Sequence, residues 1–257
     1  MPYRKEQFAN GETYHVILRA LDDNLVFKNT DDYYRGIFSI YELNNVNSVT
    51  IQKRREARRR FKRLTNELGR DPRSTQLSRP RVSTGLPEFA DERDKFVEVL
   101  VFCFMPNHIH ILVRQIKDGG ISKFMQKVGG GYGRYFNDKY LRKGHVFQNT
   151  FSAVHIKDNN QFMIVVPYIF TNPVALIEPG WKEHGIRNHS AKEVIKFLEE
   201  YKWSSYQDCI NIKNFPSVTE RNFLLEVMGG EQGLKDAIEN WIRYKKDWGE
   251  YDNLFLD

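Results

Sequence analysis

Cysteine is nearly absent. The 257 residues hold two, Cys103 and Cys209, in neither a metal-binding nor a redox spacing. That excludes a disulfide-stapled scaffold and a cysteine-rich zinc module, and it fits a reducing compartment. Long apolar runs are missing as well. No stretch approaches the roughly 20 residues that span a bilayer, and the N-terminal "MPYRKEQFANGETYHV" lacks the apolar core of a signal peptide. The expectation is a cytoplasmic protein with no membrane partner. No internal repeat is visible. The one glycine run, 129–131, lacks the Lys-Ser/Thr context of a phosphate-binding loop and reads as a helix break or hinge.

What is present is globular in composition. Hydrophobic residues make up 40% and aromatics 14%, enough for one sizeable core with a possible appended unit. The formal charge of +6 suits a polyanionic partner. "TYHVILRAL" (13–21) reads as a first strand, and "DDYYRGIFSIYELNN" (31–45) as a helix with apolar residues at Tyr34, Ile37, Phe38 and Tyr41. Residues 52–94 are first basic, then rich in Pro, Ser and Thr, so a basic helix followed by an irregular linker is expected. "KFVEVLVFCFM" and "HIHILVRQI" flank "PN" and read as an antiparallel hairpin. A helix over 121–141, a strand over 146–156 and a helix opening at Asp158 follow. In that last helix Asp158 and Gln161 form a capping-box pattern, and Phe162, Val165, Val166 and Ile169 form an apolar stripe. Shorter helices are expected over 190–201, 219–229 and 233–248. The order argues for an α+β fold built on an antiparallel sheet. The expected boundaries are a core over 1–178 with a basic insertion at about 44–94, then a helical C-terminal region over 179–257.

The segment "CFMPNHIHILV" (103–113) carries the chemistry. Strand periodicity puts His108, His110 and Leu112 on one face and Ile109, Ile111 and Val113 on the other. Two imidazoles on one face are either a metal site or a pair of satisfied core histidines. Tyr168 and Asn172 are four apart on the helix, away from its apolar stripe, and Pro173 ends it. A hydroxyl, an amide oxygen and two imidazoles can therefore meet if this helix crosses the histidine strand. His, His and Asn with water suit Mg²⁺ or Mn²⁺. Tyr132, Tyr135 and Tyr140 are rival nucleophiles that more simply pack or stack, and His155 reads as a strand-surface residue. The densest basic run supplies Lys53, Arg54, Arg55, Arg58, Arg59, Arg60, Lys62 and Arg63, and its nearly single-signed charge calls for an anionic partner. Arg134, Lys139, Arg142 and Lys143 form a second basic cluster among aromatics, suited to a single-strand groove. Trp203 reads as core before base-stacking platform.

Four blocks carry a family resemblance. "MPNHIHILV" looks like the His-hydrophobic-His motif of single-tyrosine HUH transposases, and "YIFTNPV" resembles the block that holds their nucleophile. "YGRYFNDKYLRKGHVFQ" and "KWSSY" resemble the blocks lying between and after those motifs. Together they resemble the REP-associated tyrosine transposases, in order over about 13–43 and 95–206. The resemblance implies a ferredoxin-like core, with His108, His110 and Asn172 as metal ligands and Tyr168 attacking a single-stranded DNA phosphate. It further implies a 5′-phosphotyrosine intermediate, single-stranded or hairpin DNA as partner, and a monomer or homodimer. Three departures stand out: Pro167 just before the tyrosine, "NTFSAV" where basic residues are usual, and the insertion at 44–94. Two other functions compete. One is a domesticated relative that binds structured DNA or RNA without cutting, and the other is a phosphodiesterase using water as nucleophile.

Overall fold

The computed structural model describes residues 7–47, 91, 93–148 and 150–244. Most of the basic run, including Lys53 to Arg63, lies outside them. Contacts group 1–44 with 95–257 as one compact unit and 45–94 as another. Among the described residues no helix is long and apolar enough to cross a membrane.

Four strands form one antiparallel sheet: β1 (Thr13–Arg19), β2 (Val97–Met105), β3 (His108–Gln115) and β4 (Ser152–Ile156), in the order β2-β3-β1-β4. The expected hairpin is present, its Pro106 carbonyl accepting the Val26 and Phe27 amides at 2.9 and 3.0 Å. A register shift between Val99 and Val101 disturbs the β2–β3 ladder. Its consequence is a change of parity: Val97 and Val99 join one core, then Phe102 and Phe104 join that same core, while Leu100 and Val101 both enter the other. β4 is shorter than the expected 146–156, because only 152–156 pair with β1.

Helices cover both faces. On one lie α1 (Thr30–Glu42) and α2 (Gly120–Tyr140). Asn29 caps α1 by accepting the Asp32 amide at 3.3 Å. α2 buries Ile121, Phe124, Met125, Val128, Tyr132 and Phe136 at helical spacing. It runs straight through Gly129–Gly131, so the expected break or hinge is absent. Gly131 serves packing instead: a Cβ there would stand 2.6 Å from Leu43 Cδ1.

The other face carries α3 (Asn159–Thr171), whose cap Asp158 accepts the Gln161 amide at 2.8 Å. Pro167 lies inside this helix without ending it. Past Thr171 the chain tightens into a 3-10 turn (Asn172–Leu176) with Pro173 in its first turn. Then come α4 (Trp181–His184), α5 (Ala191–Glu200), α6 (Tyr206–Cys209), α7 (Arg221–Val227) and α8 (Gly230–Tyr244). Leu198, Leu224, Leu234, Ile238 and Trp241 share one core with α3. That cover explains a departure from the one-sided stripe expected for α3. All of Ile164–Thr171 is buried, since helices lie outside it as well as the sheet beneath.

Candidate active site

Strand register builds the site. β1 and β3 run antiparallel with Ile17 opposite His110 and Arg19 opposite His108. His15, Ile17 and Arg19 thus share the face of His108 and His110, while Tyr14, Val16 and Leu18 enter the core under α1 and α2. His108 Nε2 lies 2.9 Å from His110 Nε2, and His110 Nδ1 lies 3.0 Å from His15 Nε2. His108 Nδ1 is 2.6 Å from Asn107 Oδ1. An amide oxygen only accepts, so the proton of neutral His108 sits on Nδ1 and leaves a lone pair at Nε2. Burial, then the charges of Arg19 and Lys182 and the neighbouring His15, push the His108 pKa down to about 3. Burial and the same neighbours with His108 hold His110 well below its usual range. Both imidazoles are neutral at pH 7, the state a metal requires.

α3 delivers the tyrosine. The Tyr168 ring meets His15 and His110 edge-on at 5.7 Å each, and Trp241 of α8 at 6.4 Å. Lys182 Nζ stands 4.9 Å from the Tyr168 ring centre and donates to Asn172 Oδ1 at 2.9 Å. Asn172 Nδ2 in turn donates to the Tyr168 carbonyl at 3.0 Å, which locks the amide orientation. A cavity of about 230 Å³ opens beside these groups, its walls including Arg19, His108, Asn172 and Lys182. Tyr168 is 1% exposed and lies behind that wall.

One spacing in the donor set matches a divalent ion's, though it is also that of the hydrogen bond now joining the two rings. Two ligands at about 2.1 Å from one octahedral ion, at right angles, stand about 3.0 Å apart, and the two Nε2 atoms are 2.9 Å apart. Asn172 Oδ1 reaches the same cavity but is held by Lys182. Among the described residues no group of three or more His, Cys, Asp or Glu is arranged to hold an ion. Two imidazoles and an amide are the set available, with His108 and Asn172 on the cavity wall and His110 fully buried. Ligation through His110 Nε2 requires its proton on Nδ1, where His15 Nε2 accepts it.

Residues 74–172, which contain both histidines, the tyrosine and the asparagine, match the family model described as IS200-like transposases. Over that segment the chain is similar to that family. A solved structure of a REP-associated tyrosine transposase bound to a REP hairpin is similar at 14% identity, covering 86% of this chain and 96% of that one, with a TM-score of 0.42. No curated protein matches the chain. The family resemblance read from the sequence blocks and the α+β antiparallel fold both stand.

Within this fold the rival tyrosines lie across the sheet. Tyr132 donates to the Val26 carbonyl at 2.6 Å, and Tyr135 and Tyr140 donate to Asp32 at 3.0 and 2.7 Å. His155 pairs with Glu12 at 2.8 Å and stacks on Tyr14, away from the histidine face. Trp203 stacks on Tyr33 at 4.6 Å. Of the second basic cluster, Lys139 sits 2.6 Å from Asp32 Oδ1 and Arg142 lies over the Phe136 ring. Arg134 and Lys143 are exposed, Arg134 with Asp138 at 4.0 Å. Sequence reading missed two groups. His15 carries only a weak signal, a histidine in an otherwise apolar strand. Lys182 carries none, since the turn at Pro179–Gly180 alone returns it to the site.

Proposed function

We propose that the protein is a transposase of the IS200-like kind, a metal-dependent single-strand endonuclease and strand transferase acting on hairpin-forming repeat DNA, with Tyr168 as nucleophile. One observation carries the reading: the Tyr168 ring contacts two of three linked imidazoles, whereas Tyr132, Tyr135 and Tyr140 bond to groups on the other face. His108, His110 and Asn172 would hold the ion, either Mg²⁺ or Mn²⁺, which when bound polarises a phosphoryl oxygen. The choice of hairpin DNA rests on the resemblance of the sequence blocks to REP-associated tyrosine transposases.

The reaction is a transesterification. The Tyr168 phenolic oxygen forms a bond to phosphorus and gives up its proton. The P–O3′ bond breaks, and the 3′ oxygen takes the electron pair and a proton. A 5′-phosphotyrosine link and a free 3′-hydroxyl result, and the reverse attack rejoins strands with no nucleotide cofactor. A free phenol titrates near about 10, so neighbouring cations must favour the phenolate. Because the phenol is 1% exposed, DNA reaches it only after the residues over it shift.

Arg134, Arg142, Lys143 and the run from Lys53 to Arg63 would hold the strand by its phosphates, while Lys139 serves Asp32. The buried phenol favours the second reading, a binder that no longer cuts. Incubation with folded single-stranded repeats in Mn²⁺, followed by denaturing electrophoresis, separates them. A slow-migrating protein–DNA band that Tyr168→Phe abolishes supports cutting. Binding without any band supports the binder.

A further inference from the structure

The cavity beside the histidines is walled by cations from two distant parts of the chain. Arg19 closes β1 directly opposite His108 in the β1–β3 register, so its side chain leaves the sheet on the imidazole face. Lys182 arrives from the opposite wall, anchored by its 2.9 Å bond to Asn172 Oδ1. Both line the same 230 Å³ space as His108 and Asn172. Arg19 also stands 3.5 Å from Asp23, whose carboxylate is 67% exposed and weakly held. Glu183 is the one acidic residue on the wall, and it is exposed at the rim.

We infer that Arg19 and Lys182 form a phosphate subsite in this cavity, and that Lys182 is the cation that bears on both the phosphodiester and the nucleophile. The inference rests on the reading of the site just given and deepens it by naming the residues that hold the reacting group. A phosphodiester carries one negative charge on two equivalent oxygens, which suits a forked guanidinium on one side and an ammonium on the other. Arginine fixes the plane of the phosphate. Lysine, a point charge on a flexible stem, follows the phosphorus as the fifth oxygen approaches. Lys182 already lies over the Tyr168 ring, so one charge favours the phenolate before attack and the added negative charge during it. Its bond to Asn172 Oδ1 is a rest position, and an incoming phosphate oxygen gives the ammonium a stronger, charged acceptor.

Inorganic phosphate is the probe that separates this inference from the nucleophile assignment. The full chain is titrated with phosphate against chloride at matched ionic strength, following the histidine side-chain and lysine Nζ resonances by NMR. Wild type should show saturable shifts at His108 and Lys182. Lys182→Met and Arg19→Met should each weaken binding about tenfold, the worth of one charge-assisted hydrogen bond, and Lys182→Arg should restore most of it. Thermal unfolding of each variant establishes that the loss is not unfolding. Equal affinity in all variants, or saturable shifts that avoid the cavity, overturns the subsite. Where a methionine variant does not fold, Lys182→Gln and Arg19→Gln, which remove the charge but keep a polar end, carry the test, and unchanged affinity and shifts in both overturn it. If phosphate binds as expected while wild type forms no covalent adduct with DNA, the nucleophile assignment falls and the subsite stands. If the adduct forms and Lys182→Met neither slows it nor weakens phosphate, the subsite alone falls.

Discussion

The two faces of one sheet use the same residue types for opposite ends. Under α1 and α2, three tyrosines and a lysine converge on a carboxylate or a carbonyl. Asp32 accepts from Lys139, Tyr140, Tyr135 and the Lys28 amide, all at 2.6 to 3.0 Å. Burial and the Asp32 charge raise the Tyr132 and Tyr140 pKa values, so those phenols stay protonated and structural. Under α3, one tyrosine and a lysine converge on imidazoles and an amide, with a cavity alongside. The first face satisfies Asp32 and its three tyrosines internally. The second leaves open cavity beside neutral donors and two cations, and that is where a substrate has something to bind. A tyrosine's role here follows from the groups around its ring and oxygen, not from its being buried.

The largest effect should come from the second face. Replacing His108 and His110 together with Ala should abolish divalent-ion binding by calorimetry and slow strand cleavage at least about a thousandfold, since a bound ion supplies several kcal/mol. Undiminished cleavage in the presence of a chelator would remove the metal from the account. On the first face the effect should be on stability alone. Asp32→Ala strands a lysine and two phenols and should cost about 3 kcal/mol, read by denaturant unfolding, with metal affinity unchanged.

The Asp32 carboxylate also sets an acid limit. Burial raises its pKa, and the hydrogen bonds from Lys139, Tyr140, the Lys28 amide and Tyr135 together lower it further, to a net value below the usual 3.8. Its contribution is therefore complete above that value and is lost as pH falls through the lower folded-state value. The difference in stability between wild type and Asp32→Ala should shrink below pH 3.8 and stay constant above it. A constant difference at all pH values would mean the carboxylate carries no ionic role.

His15 sharpens the comparison at its centre, because it touches His110, a proposed ligand, but not the cavity. His15→Phe should lower Mn²⁺ affinity about 10- to 100-fold, the usual range for a group that orients a metal-ligating histidine. His15→Gln, able to accept the His110 proton, should recover part of it. Identical affinities in both would leave His15 as packing only. The smallest effect belongs to the basic run. Neutralising Arg58, Arg59 and Arg60 should flatten the salt dependence of DNA binding by about one unit of slope per lost contact. An unchanged slope would make the run a solvated surface.

Much of this was legible in residue order. The alternation in β3 placed His108 and His110 on one face, and the spacing of Tyr168 and Asn172 brought both to it. What escaped depends on contacts distant in sequence. The parity change in β2 comes from a bulge that leaves no mark on "VEVLVFCFM". The glycines of α2 resemble a hinge until Leu43, which leaves no room for a side chain at Gly131, is placed. His15 joins the site only through the β1–β3 register, across a separation of 95 residues. The C-terminal helices, read as an appendage, enclose α3, and Trp241 lies against the ring on which the proposed chemistry turns.

The most direct test of the account is the position of the covalent link. Wild type is trapped with a hairpin-bearing single strand in Mn²⁺, digested, and the nucleotide-bearing peptide is identified by mass spectrometry. The account predicts the modification on Tyr168 and its complete loss in Tyr168→Phe. A nucleotide on Tyr132, Tyr135 or Tyr140, or continued cleavage by the Phe variant, would contradict it and move the chemistry to the other face of the sheet or to water.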